Sequence, residues 1–143
     1  MLFNSKNTAD TERCGFELAK KLSTGGRKSA FIALCGEMGV GKTAFTRGFA
    51  SFFDIQGVRS TTYAIVNEYR SALGRIFHFD MYRIESEDDL YSVSFYDYLN
   101  SEGYSIVEWS ENIEEFIPED AIFVEISRSR ESTDGRNIEI TGV

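Results

Sequence analysis

Gly36, Glu37, Met38, Gly39, Val40, Gly41, Lys42 and Thr43 follow the pattern G-x-x-x-x-G-K-[ST], in which a glycine-rich loop folds its backbone N–H groups around phosphate oxygens. Lys42 can reach the β and γ phosphates of a nucleoside triphosphate, and the Thr43 hydroxyl can ligate Mg²⁺. Protein sites usually supply Mg²⁺ with only one or two carboxylates besides phosphate and water, so such a loop needs an acid from elsewhere in the chain. Two acids close apolar runs: Asp80 follows Ile76-Phe77-His78-Phe79, and Glu108 follows Ser105-Ile106-Val107. Ligands of open α/β sheets gather at the carboxyl ends of strands, which makes both acids candidates for holding the metal shell or orienting a water. Lys42, Asp80 and Glu108 are therefore the expected catalytic groups. His78, surrounded by apolar neighbours, reads as a hydrogen-bonded support for Asp80 or a nearby loop. Ser60, Thr61 and Thr62 lie where related enzymes keep a γ-phosphate-sensing loop, and Thr62 or Thr61 can offer a hydroxyl to that phosphate or to Mg²⁺. Arg83 can offset phosphate charge or pair with a local acid.

The flanking pattern suits the loop. Residues 29–35 are an almost unbroken apolar run, as expected of a strand buried on both faces. After the loop, Phe45, Phe49, Phe52 and Phe53 recur with the spacing of an amphipathic helix. Strand, loop and helix together let the loop amides and the helix N-terminus converge on an anion. Upstream, Thr8 can cap a helix whose stripe is Cys14, Leu18, Ala19 and Leu22 and which stops before Gly25-Gly26. Residues 63–69 and 75–79 flank a connection too short for a crossover, which predicts an antiparallel pair. Ser86 and Asp89 resemble a capping box for a helix near 87–99, residues 104–108 read as a strand, and 121–127 with 137–141 read as two more. The expected fold class is α/β: a P-loop nucleoside triphosphatase fold with a mixed, mainly parallel sheet, flanking helices and some antiparallel strands.

A chain of 143 residues with 42% hydrophobic content suits one domain spanning 1–143. The N-terminal stretch is polar, and nowhere do 18 apolar residues run together, so a cytoplasmic protein without membrane contact is expected. Cys14 and Cys35 lack metal or C-x-x-C spacing and read as reduced packing residues. A net charge of −8 disfavours a broad nucleic-acid footprint, so contact with RNA is expected to be indirect at most. No Asn-Lys-x-Asp segment follows the loop to read guanine, which turns the expectation toward ATP. A small-molecule kinase would share the loop but should carry an arginine-bearing lid, and no such insertion is visible.

The ordered combination of four segments resembles the TsaE (YjeE) family, bacterial ATPases of tRNA threonylcarbamoyladenosine synthesis. The segments are 36–43, then Ser60-Thr61-Thr62-Tyr63-Ala64-Ile65-Val66-Asn67-Glu68-Tyr69, then His78-Phe79-Asp80-Met81-Tyr82-Arg83-Ile84, then Glu108-Trp109-Ser110-Glu111. The resemblance spans essentially the whole chain and includes Gly135-Arg136-Asn137-Ile138. It implies ATP hydrolysis with Mg²⁺ in a complex with TsaB and TsaD, the threonylcarbamoyl transfer itself being carried out elsewhere and tRNA being met only indirectly. It also implies Thr43 and Glu108 as magnesium ligands, 36–43 as the triphosphate loop, Asp80 as an acid beside it, and Thr11 and Arg136 as nucleotide contacts. The family's second segment usually reads Ser-Pro-Thr, whereas this chain has Ser60-Thr61-Thr62. The missing proline removes a fixed φ from that loop while Thr62 keeps the hydroxyl.

Overall fold

In a computed structural model, which describes residues 1–59 and 65–143, the apolar run before the glycine loop is β2 (Ala30–Cys35), the middle strand of a seven-stranded sheet. The others are β1 (Leu2–Ser5), β3 (Val66–Arg70), β4 (Arg75–Asp80), β5 (Tyr104–Glu108), β6 (Ile122–Arg128) and β7 (Arg136–Thr141), in the order β1-β7-β6-β2-β5-β4-β3. The central four, β6, β2, β5 and β4, run parallel. β3 joins one edge antiparallel, and β7 and β1 extend the other the same way. The mixed sheet expected from the sequence is therefore present, with its parallel part at the centre where both faces are covered.

Each face has its own core. Ile32 and Leu34 of β2, Ile106 of β5 and Val124 of β6 pack with Leu18 of α1 (Thr8–Thr24), Phe45 and Phe49 of α2 (Lys42–Phe52) and Phe53, the residue just after α2. On the other face, Phe31, Ala33, Phe77, Phe79 and Val107 meet Leu90 of α3 (Glu87–Ser92), Phe95 of α4 (Phe95–Leu99) and Ile113 of a 3-10 helix, Ser110–Phe116. Cys14 is buried on α1, where burial pushes its thiol up to about 11, and neither it nor Cys35 is in a disulfide. Among the described residues no helix is long and apolar enough to cross a membrane.

Four details depart from the sequence reading. The cap of α1 is Asn7 rather than Thr8, its side chain accepting from the Asp10 N–H at 2.9 Å. β1 was not foreseen: it is four residues long and, among the described residues, pairs only with β7. The Ser86 side chain makes no capping bond; Asp89 Oδ2 instead accepts from the Glu85 N–H at 2.9 Å. Finally, the helix expected near 87–99 is broken at Ser94, which has a φ of 59°. The break has a packing reason. Leu90 and Phe95 would lie about 140° apart around one continuous helix, yet both are fully buried against the sheet. The start of the strand expected at 63, like Ser60, Thr61 and Thr62, lies outside the described residues.

Candidate functional site

β2 feeds the loop directly. Gly36 has a φ of +155°, and a Cβ there would lie 2.6 Å from the Ile126 carbonyl, so the chain passes β6 closer than any side chain allows. The loop then turns through a Val40 N–H bond to the Glu37 carbonyl at 3.2 Å, and Val40 itself is fully buried. Gly36, Glu37, Met38 and Gly39 remain exposed. Gly41, with a φ of 118°, is the residue before α2 and supplies no side-chain cap. The first N–H groups of this 11-residue helix thus face the loop without a capping side chain, the arrangement that favours an anion.

Sheet register places the acids. Leu34 of β2 lies opposite Glu108 of β5, and Glu108 lies opposite Asp80 of β4, so both carboxylates end strands in the row that opens into the loop. Lys42, the first residue of α2, extends over this row. Its Nζ is 3.5 Å from Glu108 Oε1 and 5.8 Å from the centroid of the Trp109 ring. Glu108 Oε2 lies 2.6 Å from His78 Nε2. Thr43, half-buried, sits next to Lys42 on the opening turn of α2. Asp80 Oδ1 accepts from the Tyr82 N–H at 3.0 Å.

The electrostatics of Glu108 follow from these contacts. Burial raises its pKa most strongly of any single influence, but the His78 hydrogen bond and the Lys42 ammonium together outweigh it, leaving the carboxyl below its ordinary value. A carboxyl with a lowered pKa in the folded state stabilises the fold above its unfolded pKa and loses that contribution as pH falls through the folded one. The stability advantage of the wild-type chain over Glu108→Gln will therefore shrink as pH drops below the ordinary glutamate range. Urea unfolding of both proteins along a pH series measures it; an advantage that grows on acidification would contradict the pairing.

Four residues to which the sequence assigned no role hold this row together, and Asn112 lies outside every segment that carried the family resemblance. Trp109, in a left-handed conformation with φ 59° and ψ 38°, turns the chain immediately after Glu108 and packs edge-on against Tyr82 with ring centroids 4.9 Å apart. Asn112 Nδ2 donates to the Met81 carbonyl at 2.9 Å and the Tyr82 carbonyl at 3.2 Å, and the Met81 N–H donates to the Glu108 carbonyl at 3.0 Å. The turns after β4 and β5 are thus tied to each other. A bend at a tryptophan and a single asparagine leave no periodic signal; only the nearness of Trp109 to Glu108 hinted at a role.

Thr11 and Arg136 flank the loop on the side away from Glu108, bordering a cleft of about 430 Å³ with Asn7, Gly39 and Gly41. The Thr11 hydroxyl is buried 2.7 Å from Ser5 Oγ, so the part of Thr11 nearest the loop is its methyl. Arg136 donates through Nε to the Val40 carbonyl at 2.7 Å and through Nη1 to the Thr133 and Gly135 carbonyls. Its guanidinium fastens the loop backbone to the β6–β7 hairpin. Arg83 is exposed beyond the turn that follows Asp80.

The sequence model of the family described as "Threonylcarbamoyl adenosine biosynthesis protein TsaE" matches residues 5–138. The chain belongs to the TsaE family. Among its relatives, the tRNA threonylcarbamoyladenosine biosynthesis protein TsaE of Haemophilus influenzae is 38% identical over 125 residues, covering 87% of this chain and 76% of that protein. The Bacillus subtilis TsaE is 33% identical over 127 residues, covering 88% and 78%. A solved structure, the crystal structure of Bacillus subtilis YdiB, shares the fold with a TM-score of 0.76 at 27% identity, over 96% of this chain and 82% of that one. The span matched by the TsaE family model takes in the glycine loop, both strand-end acids and Arg136.

Proposed function

We propose that this chain binds MgATP on the 36–43 loop and hydrolyses it in the cytoplasm to support tRNA threonylcarbamoyladenosine synthesis, with TsaB and TsaD as partners that carry the transfer. The observation that carries this reading is the Lys42–Glu108–His78 chain of contacts at the mouth of a glycine loop opening onto an uncapped helix. The loop and α2 amides would receive phosphate oxygens, and Lys42 would exchange Glu108 for a phosphate. Thr43 and Glu108 fit a magnesium ion, because a hydroxyl and a carboxylate kept ionised are hard oxygen donors. Bound magnesium would offset charge on the β and γ phosphates. Asp80, in register beside Glu108, would orient a water or the ion's hydration shell. The missing guanine-reading segment favours adenine, and family membership supplies the pathway.

Phosphate release from ATP in magnesium, measured alone and with purified TsaB and TsaD, tests the reading. Release by the wild type should rise when the partner pair is present. Lys42→Ala should lower it by about 100-fold or more, the scale on which a single preorganised electrostatic group acts. Equal release by Lys42→Ala and wild type would refute the site, and no response to the partner pair would refute the partnership.

A further inference from the structure

His78 is the only histidine in the chain and is fully buried, inside β4. It lies opposite Asn67 on β3 and Ile106 on β5, so strand pairing on both sides fixes its backbone. Its ring reaches diagonally to the last residue of β5, placing Nε2 2.6 Å from Glu108 Oε2. Nδ1 is buried with no hydrogen-bond partner among the described residues. An orphaned N–H costs more to bury than an unshared lone pair accepting nothing, so the arrangement favours the tautomer with its proton on Nε2, donated to Glu108. Oε2 is therefore occupied by a donor that cannot swing away. Only Oε1 faces the loop, where Lys42 Nζ lies 3.5 Å off.

Resting on the proposed nucleotide site, we infer that His78 is a positioning residue that sets the cation preference of that site, by holding Glu108 to ligation through one oxygen. Calcium takes six to eight oxygens and readily accepts both oxygens of a carboxylate, whereas magnesium demands a tight octahedron and takes carboxylates one oxygen at a time. A glutamate whose second oxygen is held by a buried histidine suits the smaller ion. Freeing Oε2 would let the same glutamate embrace a larger one. The pairing thus acts on which divalent ion accompanies the nucleotide, separately from how tightly the loop holds phosphate.

The test is calorimetric binding of a non-hydrolysable ATP analogue in magnesium and, separately, in calcium, to wild type, His78→Leu and His78→Gln. Wild type should bind the analogue more tightly with magnesium. In His78→Leu the magnesium-supported affinity should fall about 10- to 100-fold, the usual effect of losing a partner behind a metal ligand. The calcium-supported affinity should fall less, so that the ratio between the two ions collapses. His78→Gln, whose amide can still donate to Oε2, should restore most of the ratio. Should His78→Leu fail to fold, His78→Asn, too short to reach Glu108, carries the same expectation. A ratio unmoved in the folded variant, or a wild type indifferent to the choice of ion, overturns the inference and leaves the nucleotide site standing. No magnesium-dependent binding by the wild type overturns both.

Discussion

Glu108→Gln will release phosphate from ATP about 100- to 1,000-fold more slowly than wild type, while holding nucleotide in the absence of magnesium at least as well. The substitution keeps the shape of the side chain. The amide oxygen can still accept from His78 Nε2, so the buried hydrogen bond of 2.6 Å has a replacement and the fold should survive. What changes is charge. The Lys42 ammonium, 3.5 Å from Oε1 in the wild type, would face a neutral amide, leaving it free to meet a phosphate without first leaving a carboxylate. Metal-free affinity should therefore hold or rise. Hydrolysis should fall because the site loses its ionised oxygen donor, one that the fold keeps below its ordinary pKa for this setting. The split between the two measurements separates this account from simple damage: a misfolded variant would lose both. Phosphate release at the wild-type rate would remove Glu108 from the mechanism.

The glycine loop was legible because everything it needs is local: an apolar strand, three glycines, a lysine and a helix within a short stretch. Asp80 and Glu108 were legible for a related reason, since each closes an apolar run and strands are recognisable one at a time. The partner of His78 was not. The sequence pointed to support for Asp80 or a loop, whereas the imidazole pairs with Glu108, 30 residues away, because β4 lies parallel to β5 in one particular register. Hydrophobic alternation marks a strand without saying which strand lies beside it. Arg136 shows the same limit: family resemblance marked it as a nucleotide contact, and the structure adds that its Nε holds the Val40 carbonyl.

The fold was read well where burial imposes a period and less well where packing overrides it. β2 and β5 are covered on both faces and stand out as apolar runs. β1 is mostly exposed, so burial imposes no pattern on it and only its pairing with β7 makes it a strand. The segment 87–99 carries helix-compatible residues throughout, and what breaks it is the need to seat both Leu90 and Phe95 on the sheet. Likewise Asn7 outcompetes Thr8 as the cap because its side chain, one residue earlier, reaches the Asp10 N–H.

Gly48→Ala will destabilise the protein by about 2–3 kcal/mol, although alanine is the better helix former by about 1 kcal/mol. Gly48 lies in the interior of α2, where propensity alone would predict a gain. Sterics decide the sign. A Cβ at Gly48 would run into the backbone carbonyl of Glu12 on α1, and one at Gly15 on α1 would run into the Phe45 carbonyl on α2. Both obstacles are backbone, so no rotamer change relieves them; the helices must part. Parting them loosens the Phe16–Phe52 ring contact at 5.5 Å and the Arg47–Glu12 ion pair at 2.7 Å. It also moves α2, which carries Lys42 at its start, so nucleotide binding should weaken along with stability. Thermal unfolding should show a midpoint lower by about 6–10 °C. A midpoint equal to or above that of the wild type would mean the two helices do not approach this closely. Gly15→Ala should behave similarly, and the double variant should lose less than the sum of the two, because helices already parted by the first methyl make room for the second.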